Sequence, residues 1–366
     1  MPHRVSEAFV RALPKAEVHV HLEGTLELAD LLELAREDGR QLPGPAATLF
    51  DISTHEGYAR PAVTTGGTDS GVGSAGLSGF LAFLDWECSL VRTPERAARL
   101  AYRFAARQSA SGVAHSDVIV NPTHWSSWRG RESALFDALA SGFDEAEQDG
   151  LGSVLVCASI LRAQSADASR QLAEWIVAER PRRVVALSID GDEAATGRTG
   201  PRHAEAFAIA ERGGLRRTAH AGESSGPAGV RDAIELLHAE RIDHGVRAIE
   251  DPVLVDELVE RGIALDVCPR SNLTLGLYAD IAEHPVDALA RAGVRVTVNT
   301  DDPAPIGTRI EQEWTLCAEA FGWDESRLTE LARTSIEASF ASPERQRELL
   351  DRLDAVAAVP DVAGNG

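Results

Sequence analysis

The stretch RTAHAGESSGPAGVRDAIELLHAERIDHGVRAIEDPVLVDELVERGIALDV, residues 217–267, decides the fold. Within it, Arg217–His220, Arg241–His244 and Ala264–Val267 read as short strands. The segments between them, Ala228–Ala239 and Pro252–Arg261, carry apolar residues three and four apart, the spacing that gives a helix one buried face. Gly262 follows the second segment where a helix C-cap favours glycine, and Gly213-Gly214 and Gly293 play the same part before and after. Working outward, the alternation recurs around Ala16–His21, Ser116–Val120, Val154–Ser159, Val184–Ile189 and Val294–Thr300. Strand and helix alternating over eight strands predict an α/β chain folded as a TIM-type (β/α)8 barrel rather than a doubly wound sheet.

One interval breaks the rhythm, because residues 22–115 form a long insertion between the first two strands. Part of it, Ala62–Gly79 (AVTTGGTDSGVGSAGLSG), is rich in Gly, Ser and Thr and predicts a flexible loop, either an active-site lid or a plain surface loop. Glu325–Leu353 reads as extra C-terminal helices and Asp354–Gly366 as a frayed end. Residues 1–366 are expected to form a single barrel domain.

Composition narrows the function. A chain of 366 residues with 44% hydrophobic and 25% charged residues has the proportions of a soluble globular protein. The formal net charge of -21 repels phosphate backbones and anionic membranes, so neither nucleic acid nor membrane is an expected partner. Lys15 is the only lysine, which excludes a Gly-Lys-Ser/Thr phosphate loop and leaves one residue for Schiff-base chemistry. Cys88, Cys157, Cys268 and Cys317 are scattered without a CxxC pair, a pattern of reduced thiols that, with no apolar leader, points to the cytoplasm.

His19 and His21 stand two apart on the first strand, so both imidazoles point to one face, which in a barrel is the interior. Alone, such a pair is as often structural as ligating. Further ionisable residues end later strands, namely His220, His244 and Asp301-Asp302, and the C-terminal face is where barrel enzymes gather their sites. His19, His21, His220 and Asp301 make a nitrogen- and oxygen-rich set suited to one Zn²⁺ per chain, with Fe²⁺ or Mn²⁺ compatible in ligand type. Glu223, in HAGE, and His244, in RIDHG, read as acid–base groups beside a water acidified by that metal.

Five ordered motifs carry a resemblance: LPKAEVHVHLEGTLE at 13–27, TAHAGES at 218–224, ERIDHGV at 240–246, DVCPRSNLTLG at 266–276 and VTVNTDDPA at 296–304. Together they resemble the adenosine and adenine deaminases, from about Leu13 to about Phe340. The resemblance implies a catalytic Zn²⁺ in a TIM-type barrel and hydrolytic removal of an amino group from C6 of a purine. It makes His19, His21, His220 and Asp301 the metal ligands and Glu223 the proton donor to ring nitrogen N1. His244 becomes the group that orients the attacking water and helps remove its proton, Asp302 the contact to N7, and Gly191 the contact to the purine edge.

Substrate choice divides the motifs. Typical adenosine deaminases have HLDG, whose aspartate reaches the ribose, whereas HLEG here places Glu23 in that position and is closer to adenine deaminases, as is SILRAQS at 159–165. SIDGDE at 188–193 and DDPAPIGTRIEQEW at 301–314 lean towards adenosine enzymes, although Asp190 stands where those carry a small residue. The expectation is an adenosine-like nucleoside, with adenine or a modified purine as the alternative. His124, Trp125 and Trp128 in THWSSWRGR either stack on substrate or form a loop rim. A cyclic-amide amidohydrolase would share the histidines but often needs a bridging lysine, and a non-catalytic purine-binding barrel should have lost a ligand or the acid.

Overall fold

A computed structural model describes residues 5–50 and 75–357. Eight strands follow in chain order: β1 Lys15–His21, β2 Val113–Val120, β3 Ser153–Leu161, β4 Val184–Asp190, β5 Arg216–Ala221, β6 Arg241–His244, β7 Ala264–Val267 and β8 Arg295–Val298. Each pairs in parallel with the next. The ring closes just beyond β8, where His21 N donates to Asp301 O at 2.8 Å and Asp301 N to His19 O at 3.2 Å. Helices such as Ala166–Glu179, Gly200–Arg212, Pro227–Glu235 and Pro252–Arg261 join the strands, which makes a nearly closed TIM-type barrel.

The boundaries differ from the sequence reading in places that packing explains. β2 starts at Val113 rather than Ser116, because Val113 and His115 pair with Lys15 and Ala16 of β1. Residues 62–74 of the Gly/Ser/Thr-rich segment lie outside the described residues, while Ala75–Gly79 belong to the helix Ala75–Cys88. The last helix, Pro343–Ala357, runs through Asp354, where the sequence suggested fraying. Buried Leu349 and Leu353 anchor it, and Asp354 pairs with Arg333. Residues 358–366 lie outside the described residues. Among the described residues no helix is long and apolar enough to cross a membrane, and all four cysteines are buried and unpaired.

Val18 and Val20 turn outward to the helices while the other face of β1 carries Glu17, His19 and His21, so the barrel interior is polar and needs its own charge balance. Arg241 on β6 provides it. Its guanidinium donates to Asp117 at 2.6 Å and to Val18 O at 2.9 Å, lies 2.9 Å from Asp266, and stacks on the Phe340 ring at 3.9 Å. Burial favours the neutral form of Asp117, but the Arg241 charge, ahead of the hydrogen bond from His115, draws it down to about 2. Arg241→Met is therefore expected to cost about 3–5 kcal/mol, because it strands two buried carboxylates. Urea unfolding of the variant against the parent checks this, and an unchanged midpoint would contradict the balancing role.

Candidate active site

Register sets the level of the site. His220 of β5 is paired with Asp243 of β6, Asp243 with Asp266 of β7, and Asp266 with Thr297 of β8, forming one row across four strands near their C-terminal ends. His19 of β1 joins that row, with its Nδ1 donating to Asp266 O at 2.8 Å. The proton is thereby fixed on Nδ1 and the Nε2 lone pair faces the barrel axis. His220 Nδ1 faces the Asp243 carboxylate at 3.2 Å, which likewise leaves its Nε2 free.

Three Nε2 atoms and a carboxylate oxygen meet there. His220 Nε2 lies 3.2 Å from His19 Nε2 and 3.0 Å from His21 Nε2. Asp301 Oδ1 lies 3.4 Å and 3.3 Å from those same two nitrogens, of His19 and His21 respectively. Metal bonds of about 2.0–2.1 Å in a tetrahedron place neighbouring ligand atoms about 3.3–3.4 Å apart, so the spacing fits one cation of zinc size. For His19 and His220, whose Nδ1 atoms face acceptors, the Nε2 lone pairs turned to one another at that range suit a cation between them. An overlapping set, His19, His244, Cys268 and Asp301, is also within reach of one ion. It suits a metal less well, because Cys268 Sγ approaches His19 at Nδ1, the nitrogen already bonded to Asp266, and burial pushes that thiol well above its usual range.

Beside this cluster stand Glu223 and His244. His244 Nε2 is 3.5 Å from Glu223 Oε1 and 3.8 Å from Asp301 Oδ2. Burial, with the charges of Asp301 and Glu193 adding to it, pushes Glu223 up to about 8, so its neutral acid persists at neutral pH. Burial followed by the neighbouring His19 holds His244 well below the usual imidazole range. His244 and Asp301 both adopt φ of 65°, a left-handed conformation that non-glycine residues rarely accept, and both strained positions belong to the site. Gly222 at φ 66° forms the turn that carries Glu223, and a Cβ there would meet Val230 Cγ2 at 2.4 Å.

The cluster forms the floor of a partly open cavity. Asp190, Gly191, Asp302 and His124 line its walls, and Phe80, Leu81 and Leu84 of the helix Ala75–Cys88 cover it. Asp302 packs on Gly24 so closely that a Cβ would fall 2.0 Å from its Oδ1. Glu23 is elsewhere: its Oε1 accepts from Trp125 Nε1 at 2.6 Å and Asn121 N at 2.8 Å, and it is not part of the cavity lining. Trp125 and Trp128 are almost fully buried, with indole N–H groups given to Glu23 and Val91 O, so they are packed behind the site rather than stacked at a rim.

Several residues that sequence reasoning did not assign complete the arrangement. Glu193 accepts from the backbone N–H groups of Gly222, Glu223, Ser224 and Ser225 and from Ser225 Oγ, at 2.8–3.2 Å, and so shapes the turn bearing Glu223. Its only signal was its place in the GDE motif. Ser271 Oγ donates to Asp301 Oδ2 at 2.6 Å. His284 Nδ1 accepts Val286 N–H, so its Nε2 donates to Asn272 Oδ1 at 3.1 Å. That orients the Asn272 amide nitrogen towards Glu223 Oε1 at 3.3 Å and His244 Nδ1 at 3.4 Å. The His244 proton is then carried on Nε2, the nitrogen facing Glu223 and Asp301, and Glu223 Oε2 is left as the oxygen to carry the acid proton.

Comparison with known proteins agrees with this chemistry. A family model described as adenosine deaminase matches residues 14–356. An adenine deaminase of Rhodospirillum rubrum is 33% identical over 353 residues, covering 96% of this chain and 99% of the relative. An aminodeoxyfutalosine deaminase of Streptomyces coelicolor is 33% identical over 352 residues, covering 95% of this chain and 85% of the relative. The crystal structure of an amidohydrolase from Burkholderia ambifaria, with bound zinc, matches at a TM-score of 0.81 and 27% identity over 96% of this chain and 93% of that one. The chain belongs to the adenosine deaminase family, whose members are metal-dependent aminohydrolases, and is a purine deaminase.

Proposed function

We propose that the chain hydrolyses the 6-amino group of free adenine with the help of one Zn²⁺, in preference to the adenosine-like nucleoside that part of the sequence favours. The observation that carries this preference is Glu23. Its carboxylate is bound by Trp125 and Asn121 and stays out of the cavity, so the residue aligned with a sugar contact has none to offer. The apolar cover of Phe80, Leu81 and Leu84 suits a flat base better than a hydroxyl-rich sugar.

His19, His21, His220 and Asp301 would hold the metal, which supplies the Lewis acidity that makes water nucleophilic near neutral pH. Glu223 holds a proton for N1, which draws electrons from C6 and makes that carbon electrophilic. His244, with its proton on Nε2, orients the incoming water oxygen by donating to it, a role nearer to positioning than to proton abstraction. Asp302 and Gly191 engage N7 and the opposite edge of the base. Water oxygen ends on C6 and the amino group leaves as ammonia, so adenine and water give hypoxanthine and ammonia.

A nucleoside reading keeps support from the segment 301–314, and the Streptomyces relative is named for aminodeoxyfutalosine rather than adenine. Conversion of the 6-amino to the 6-oxo purine, followed by ultraviolet absorbance for adenine, adenosine, 2′-deoxyadenosine, N6-methyladenine (which releases methylamine), aminodeoxyfutalosine and AMP, separates the readings. Adenine is expected to exceed each of the others by about tenfold or more in kcat/KM. Adenosine or aminodeoxyfutalosine ahead of adenine by that margin would overturn the free-base reading. AMP should be poorest, since Lys15 is far from the mouth at the start of β1 and the chain is strongly acidic.

A further inference from the structure

We propose that Asp190 is a specificity-determining residue that reads position N9 of the purine and selects a base bearing N9–H over one substituted there; this rests on the free-base reading above. Asp190 ends β4 and, with Gly191, forms one wall of the cavity. It is 4% exposed. Its Oδ1 is held by Asn121 Nδ2 at 2.6 Å.

Asn121 cannot turn away from that bond. Its own Oδ1 takes Thr123 N–H at 3.1 Å and Thr123 Oγ1 at 2.7 Å, which fixes the amide with its nitrogen towards Asp190. The Asn121 backbone N–H goes to Glu23. One network therefore keeps Glu23 out of the cavity and holds Asp190 at its wall.

Asp190 Oδ2 has no hydrogen-bond partner, although it is buried and lies 3.9 Å from His21 Nδ1. Among the described side chains lining the cavity, the carboxylate oxygens left in this state belong to Asp190 and Asp302. A buried acceptor without a donor is costly, and a ligand N–H removes the cost.

A purine with N1 towards Glu223 and N7 towards Asp302 turns its N3 and N9 edge to the remaining polar wall, that of Gly191 and Asp190. Free adenine has one ring N–H. Accepting it at N9 holds the 9H tautomer. A nucleoside brings no hydrogen to that place and sets a carbon against the carboxylate, so it loses the bond and leaves Oδ2 unmet.

The test compares adenine with 9-methyladenine, which lacks the N9 hydrogen without adding a sugar. In the parent enzyme adenine should exceed 9-methyladenine in kcat/KM by about a hundredfold. In Asp190→Ala the ratio should collapse at least about tenfold through loss on adenine, with metal content unchanged; Asp190→Asn, which keeps the shape but cannot accept on both sides, should follow it. If adenine and 9-methyladenine fall together in both variants, or the ratio holds, Asp190 does not read N9, while the free-base reading stands. A parent enzyme that prefers 9-methyladenine and adenosine to adenine defeats the free-base reading itself. Calorimetric binding of hypoxanthine against 9-methylhypoxanthine gives the same ratio without turnover, so a variant with damaged catalysis still decides the matter.

Discussion

His19→Ala is expected to lose bound metal and turnover together, leaving kcat below about one-thousandth of the parent while the barrel stays folded. Disturbing a partner behind a metal ligand already weakens affinity by about 10–100-fold, and His19 would be a ligand itself. Its Nε2 faces both His220 and Asp301, and its orientation is set by Asp266 O. Elemental analysis beside a kcat measurement checks the prediction. The parent stripped by a chelator should melt at a lower temperature and recover with added zinc, since a ligand at a hundred times its Kd contributes about 2.7 kcal/mol. Full turnover in His19→Ala, or in the presence of excess chelator, would remove the metal from the mechanism.

The parts of this site that were legible in the sequence share one property: each depends on a single strand. The period of two on β1 aligns His19 with His21 whatever surrounds them, and the ionisable residues ending β5, β6 and closing the ring after β8 announce the C-terminal face without knowledge of contacts. What was not legible depends on two or more elements meeting. Asp243 and Asp266 support the histidines only because the registers of β5, β6 and β7 bring them level with His220. Asn272 lies in the short helix Pro269–Thr274 and His284 just after the 3-10 turn Ile281–Glu283, and no local pattern states that one orients the other. Trp125 and Trp128 had the composition of a mouth loop, yet acceptors for their indole N–H groups lie inside the protein, which reversed their burial. Glu23 was read by its neighbours in sequence, whereas Trp125 and Asn121 determine where its charge is placed.

Glu223→Gln separates the acid from the metal. Glutamine keeps the length and planarity of the side chain, and its oxygen can still accept from Asn272 as Oε1 does. The amide nitrogen can donate a hydrogen bond towards N1 but has no proton to transfer. Substrate should therefore bind with KM changed little, while kcat falls by about 10² to 10⁴. Metal content should not change, because Glu223 contributes no atom to the His19, His21, His220 and Asp301 set. The pH profile supplies an independent reading. A general acid must be protonated to act, so activity of the parent should be lost as pH rises through the Glu223 pKa. Burial pushes that pKa up to about 8, and a cation on the adjoining cluster draws it down, which puts the alkaline fall of kcat/KM at or below about pH 8. In Glu223→Gln the residual activity should lose that limb. A variant with near-parental kcat, or one that keeps the alkaline limb, would mean that another group delivers the proton to N1. Among the described residues the candidate beside Glu223 is His244, whose Nε2 is 3.5 Å from Glu223 Oε1. His244→Ala in the Glu223→Gln background would then abolish what remained, whereas with Glu223 as the acid the second change adds less than it does alone.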